Sequence, residues 1–239
     1  MIEYFVFFLL ALLFLIEAST PYARLAGVEI GRGESGFALQ NILSFSSRIL
    51  TFMFMPLIGY IVDHSLLINK EYLVYLVPVI TIFLIVLLLV FRNTVMSIYV
   101  SLCRSIVEDG SVFSFYKYFG VSSIYIGGYS KTKSKRVFCY FNKYLLLIAI
   151  IYIPYYSCWP VIVTLANEFP EYRATIISSS ALLNGFSTMF MTLVIDPKLT
   201  QVMSRRRITT YLYDLTIKAR LVALIMSFGF IYLFSAFIS

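Results

Sequence analysis

The stretch IFLIVLLLV, residues 82–90, decides the fold, and LLLIAIIYI at 145–153 repeats its pattern. Neither alternates between apolar and polar residues, as a membrane β-barrel strand of about ten residues must. Both belong to apolar runs of about 20 residues, the length that carries an α-helix across a bilayer. Lipid offers the backbone no hydrogen-bond partner, so a spanning segment closes its own bonds as a helix or within a barrel. Working outward, six such runs emerge: 4–23, broken only by Glu17; 37–62, broken only by Arg48; 72–91; 144–167; 174–195; and 221–238. They predict an all-α integral membrane protein with six transmembrane helices in a single membrane domain. Of the 239 residues, 60% are hydrophobic and 13% charged, against about 25% charged in a soluble domain. A cleaved leader is the rival reading of the first run. MIEYF, however, opens with Glu3 and no Lys or Arg, where a signal peptide opens with positive charge.

Six spans put the loops on alternate sides. The segments 22–36, 92–143 and 196–220 hold sixteen of the 19 Lys and Arg residues. The other side has only Lys70 and Arg173. Positive residues stay cytoplasmic, so both termini are expected outside. The net charge of +7 is thus mainly a topology signal. The cluster KTKSKR at 131–136 is either a stop-transfer signal or a contact for anionic membrane lipids. No nucleic-acid motif accompanies these charges. Cys103, Cys139 and Cys158 have no CxxC spacing, and there is no HExxH or Walker A pattern. No metal, cofactor or catalytic constellation is therefore expected. GESG at 33–36 matches the GxSG of rhomboid-type proteases, but the single histidine, His64, falls at the opposite membrane face, too far to activate Ser35.

The loop 92–143 separates a first three-helix half, 1–91, from a second, 144–239. It opens with a polar stripe of Ser97, Ser101, Arg104, Ser105 and Glu108 opposite Val95, Tyr99, Leu102 and Ile106. That spacing predicts a helix in the cytoplasmic interface, or a continuation of helix 3 against the bundle. Each half has a polar turn, GRGESG or NEFPEYR, then a span ending at an aspartate, IGYIVDHS or TLVIDPK. Arg48 and Asn184 occupy matching mid-span positions. Two inverted repeats of three helices would place a substrate site at their interface. A likeness due only to apolar composition stays open beside that reading.

Arg48 is the most informative single residue. An arginine at mid-bilayer costs about 2.5–3.5 kcal/mol on insertion scales, so it faces a cavity or a partner. Glu17 is the candidate partner, and ion pairing and substrate contact are both retained. Arg24 and Arg32 lie in YARLAGVEIGRGESG, 22–36, among Gly27, Gly31, Gly33 and Gly36. Glycines permit close backbone approach, and arginine offers paired donors to phosphate. A tight turn carrying topogenic charge is the alternative. Asn184 and Thr51 suggest a polar path, while Ser178, Ser179, Ser180, Gly185 and Ser187 also suit close helix packing. Pro56, Pro78, Pro154 and Pro160 predict kinks in spans 2, 3 and 4. Asp63 and Asp196 read as carboxylates at helix ends, with Pro197 stopping the fifth helix.

Taken together, YARLAGVEIGR at 22–32, SRI at 47–49, PLIGYIVD at 56–63 and LVIDPK at 193–198 resemble the Amj-type lipid II flippases, a bacterial family described as an alternate to MurJ. The resemblance covers most of the chain apart from 92–143. It implies a protein of the bacterial inner membrane that moves an undecaprenyl-diphosphate-linked glycolipid, lipid II, to the outer leaflet for peptidoglycan synthesis. Other polyprenyl-linked glycans of capsule or lipopolysaccharide remain alternatives, as does a membrane enzyme of lipid metabolism. On this reading Arg24 and Arg32 capture the diphosphate, Arg48 carries it past the middle while Glu17 pairs with Arg48 in turn, and Asn184 lines the path. Six spans enclose little space for a large headgroup. A homodimer would enlarge it, and stands open beside a monomer.

Overall fold

The computed structural model describes residues 2–63, 76–118, 135–197 and 206–238. Among the described residues there is no strand. The helices are α1 (Ile2–Glu29), α2 (Gly33–Asp63), α3 (Val77–Val90), α4 (Arg92–Asp109), α5 (Lys135–Glu168), α6 (Arg173–Ser178), α7 (Ser180–Phe190) and α8 (Arg206–Ile238). A π-helical turn, Met191–Ile195, extends α7. Five helical segments are long and apolar enough to cross a membrane, or six if α3 and α4 are counted as one broken span. His64, the cluster 131–134, Lys198 and Arg205 lie outside the described residues.

The hairpin of α1 and α2 is built by its glycines. Only residues 30–32 lie outside the two helices, so the expected loop 22–36 is a three-residue turn. Gly31 has φ +74°, a conformation that glycine adopts without a Cβ clash. A Cβ on Gly27 would lie 2.5 Å from the Gly36 backbone nitrogen and 2.6 Å from its Cα. These glycines bring two backbones together; they are not spent on approaching a ligand. The consequence is that Arg24 sits inside α1, not in a loop.

α1 carries two opposed faces. Val6, Leu10, Phe14, Ala18 and Tyr22 repeat at every fourth position and are all buried, as a core stripe requires. Leu13, Glu17, Thr20 and Arg24 follow the same helical spacing on another face and line a cavity. The core joins α1 to α5 through edge-to-face rings, with Phe14 and Tyr156 centroids 5.1 Å apart. Phe54 and Trp159 join α2 to α5 in the same way at 4.7 Å. α1 and α5 are the most buried spans, while α2 and the α6–α7 segment are the least. Apolar residues such as Phe45, Phe52, Leu182 and Leu193 are exposed on those outer helices, which suits a surface bathed in hydrocarbon.

Two expectations change here. α3 and α4 meet at an angle of 77°, so the chain turns at Phe91 and α4 packs back on α1 and α2. Its anchor is the Tyr99 hydroxyl, which donates to Ser19 Oγ at 2.7 Å. Ser101 and Ser105, assigned by spacing to a polar outer stripe, are fully buried. Their hydroxyls bond backbone oxygens of Ser97, at 2.9 Å, and of Ser111, and this satisfies them in an otherwise apolar contact. The second change is at Asp196. Asp196 lies within helical geometry and pairs with Arg24, so this carboxylate does more than mark a helix end; whether Pro197 stops the helix falls outside the described residues.

Candidate functional site

One open cavity of about 820 Å³ is lined by α1, α2, α5, α7 and α8. Its polar lining is written in helical register. α2 contributes Asn41, Ser44, Arg48 and Thr51; α7 and its π-helical extension contribute Asn184, Thr188, Thr192 and Asp196. Among the described residues α2 and α7 share no extended contact; each packs instead on the central helices. The cavity thus lies in a groove between two outer helices.

Arg24 is 4% exposed. Its Nη2 lies 3.2 Å from Asp196 Oδ2, its Nε donates to Gln40 Oε1, and its guanidinium stands 5.6 Å from the Phe37 ring centroid. One side chain therefore ties together α1, α2 and the end of α7. A buried guanidinium demands such partners, because an unpaired charge in a low dielectric is costly.

Arg48 lines the same cavity but is exposed. Among the described residues it has no ion pair, and Glu17 is not its partner. Glu17 accepts a hydrogen bond from the Ser47 hydroxyl instead. Residues 47 and 48 are adjacent on α2, about 100° apart around the helix, which explains why the serine, not the arginine, meets Glu17. Asn184 also lines the cavity, and its Oδ1 is buried with no hydrogen-bond partner within the protein, like Ser187 Oγ three residues on.

Arg32 is placed elsewhere. It is exposed in the α1–α2 turn and is not part of the cavity wall. So Glu17, Arg24, Arg48 and Asn184 are brought together and Arg32 is not.

Sequence reasoning missed several members of this wall, Arg220, Asp196 and Tyr152 among them. Arg220 belongs to the basic segment 196–220, just ahead of the last apolar run, whose charges read as topogenic. It is 3% exposed, stands 4.5 Å from the Tyr152 ring centroid, and donates to the Tyr152 hydroxyl through Nη2. The available signal was register: Ile217, Arg220, Leu224, Ser227 and Ile231 form one buried stripe on α8. Asp196 carried a similar signal, falling at steps of four from Asn184, Thr188 and Thr192. Tyr152 had none, since a tyrosine in an apolar helix is ordinarily core. With three arginines against two carboxylates, the wall has an excess of one positive charge. It offers an anion a polar, partly open seat. Among the described residues no cluster of metal-ligating side chains accompanies it.

A family model described as Amj, Alternate to MurJ, matches residues 9–230. No curated protein and no solved structure matches the chain.

Proposed function

The chain belongs to the Amj family, and from that premise we propose that it is a flippase for an undecaprenyl-diphosphate-linked sugar, lipid II, acting as a transporter without catalysis. The observation that carries this reading is the single cavity shared by Arg24, Arg48 and the polar faces of α1, α2 and α7. The cargo has a dianionic linker, a polar headgroup and a long apolar tail. Moving the linker through oil requires groups that replace its water, because an isolated buried charge costs far more than a bilayer protein can absorb. Guanidinium groups do this well, since they are weakly hydrated and present paired donors. A volume near 820 Å³ falls in the range of about 300–1,000 Å³ usual for small-molecule sites. It suits the linker and part of the sugar, while the tail stays in lipid through the groove between α2 and α7.

Arg48, exposed and unpaired, makes first contact with the diphosphate. Arg24 joins when the cargo competes with Asp196 for its guanidinium. Glu17, held by the Ser47 hydroxyl in the same cavity, offsets part of the wall's positive charge so that the cargo can leave, and Asn184 donates and accepts along the path. Both termini lie outside in the inner membrane on this reading, which the distribution of basic residues supports. Single cysteines placed at either end will report that orientation by labelling with an impermeant maleimide. The test of the function is growth of a bacterium depleted of its other lipid II flippases. The unaltered protein is expected to restore growth, and Arg48→Ala at equal abundance is expected not to. Failure of the unaltered protein would remove lipid II as cargo and point to another polyprenyl-linked glycan.

A further inference from the structure

Arg220 is 97% removed from solvent, at 3% exposure, yet only one of its three nitrogens has a protein partner. Nη2 donates to Tyr152, whereas Nε and Nη1 are buried with no acceptor. Among the described residues no carboxylate lies within ion-pair distance of it. Buried donors are normally satisfied, and a charged one left bare costs more than a neutral one. Arg220 is one of the residues lining the cavity, where Asn184 Oδ1 and Ser187 Oγ are also bare.

We propose that Arg220 is a distinct oxyanion site in this cavity, taking one phosphate or diphosphate oxygen on Nε and another on Nη1 while Tyr152 holds Nη2 between them. The two free donors flank the Nη2 that Tyr152 holds, so each takes a separate oxygen, as the spread oxygens of a diphosphate allow. Tyr152 secures Nη2 by a hydrogen bond and its ring lies against the guanidinium. The ring face attracts the cation without neutralising it, so the net charge stays available to a ligand. Arg24 differs in kind: Asp196 already holds its charge. The site itself stands on this geometry alone. Its assignment to the diphosphate of a lipid-linked cargo rests on the flippase reading.

The test uses the full chain in nanodiscs, with inorganic pyrophosphate and undecaprenyl diphosphate as separate probes. Binding is read by the fluorescence of Trp159, the only tryptophan. Arg220→Gln is expected to weaken both ligands about tenfold or more, the loss of a charge-assisted pair of hydrogen bonds. Lys218→Gln, exposed on the same helix, is the control and is expected to bind as the unaltered protein does. Arg220→Lys keeps the charge but not the fork, so an intermediate loss is expected. It also serves if Arg220→Gln does not fold, as judged by gel filtration. Tight binding of undecaprenyl diphosphate by Arg220→Gln would overturn the site and leave the flippase reading standing. Arg220-dependent binding of pyrophosphate, with no binding of the lipid, would keep the site and end the flippase reading. Binding of neither probe by the unaltered protein would overturn the site as well.

Discussion

Replacing Gly27 by alanine is expected to loosen the α1–α2 hairpin, and the structure sets the size of the effect. The new Cβ would lie 2.5 and 2.6 Å from the backbone nitrogen and Cα of Gly36. Ordinary contact begins near 3.4 Å, so the helices must part by about 0.9 Å at the crossing. Both opposing atoms are backbone, and no rotamer change can relieve them. Overpacking of this kind costs about 1–3 kcal/mol, and the alanine recovers only about 0.5–1 kcal/mol of helix propensity. The net expectation is a loss of roughly 1–2 kcal/mol. Gly59 provides the opposite sign, because a Cβ there meets nothing within 4 Å. Gly59→Ala should be neutral or stabilising by up to about 1 kcal/mol. The assay is unfolding in mixed micelles with increasing SDS, followed by Trp159 fluorescence. Gly27→Ala matching the unaltered protein, or Gly59→Ala losing as much as Gly27→Ala, would refute the close-crossing argument. Arg24 lies one helical turn from Gly27, so Gly27→Ala should also impair transport beyond its effect on stability.

Other outcomes follow from the charges. Asp196→Asn leaves Arg24 buried without its counter-ion. The cost is about 3 kcal/mol, the low end for a broken buried pair because Gln40 and Phe37 remain, and Arg24→Gln combined with Asp196→Asn should recover most of it in a double-mutant cycle. Arg48→Ala removes an exposed, unpaired side chain, so SDS unfolding should move by no more than about 0.5 kcal/mol while transport of labelled lipid II into the outer leaflet of proteoliposomes falls. Arg32→Ala should leave both stability and transport near those of the unaltered protein, since Arg32 stands outside the cavity wall. A transport loss equal to that of Arg48→Ala would place the cargo on the turn.

The membrane class was legible from the sequence because it depends on a local quantity. A run such as 144–167 is too apolar and too long to be anything but a helix in lipid, whatever surrounds it. The isolated charges Glu17 and Arg48 were legible for the same reason: an ionised group in hydrocarbon must have company. What the company is depends on how the helices are rotated and how closely they cross. Glu17 meets Ser47, not Arg48, because neighbouring residues on α2 point in different directions. Gly27 and Gly36 face each other across the crossing, where sequence spacing alone would equally allow a ligand. Arg220 shows the limit most plainly. As one basic residue at the edge of an apolar run it is indistinguishable from a topogenic charge. Only the packing of α8 on α5 turns it inward, beside Tyr152 and into the cavity that Arg24, Arg48 and Asn184 share. Hydrophobicity is a sum over neighbours in the chain, so the sequence determined the spans; a binding wall is assembled from five helices at once, and only the tertiary structure decided it.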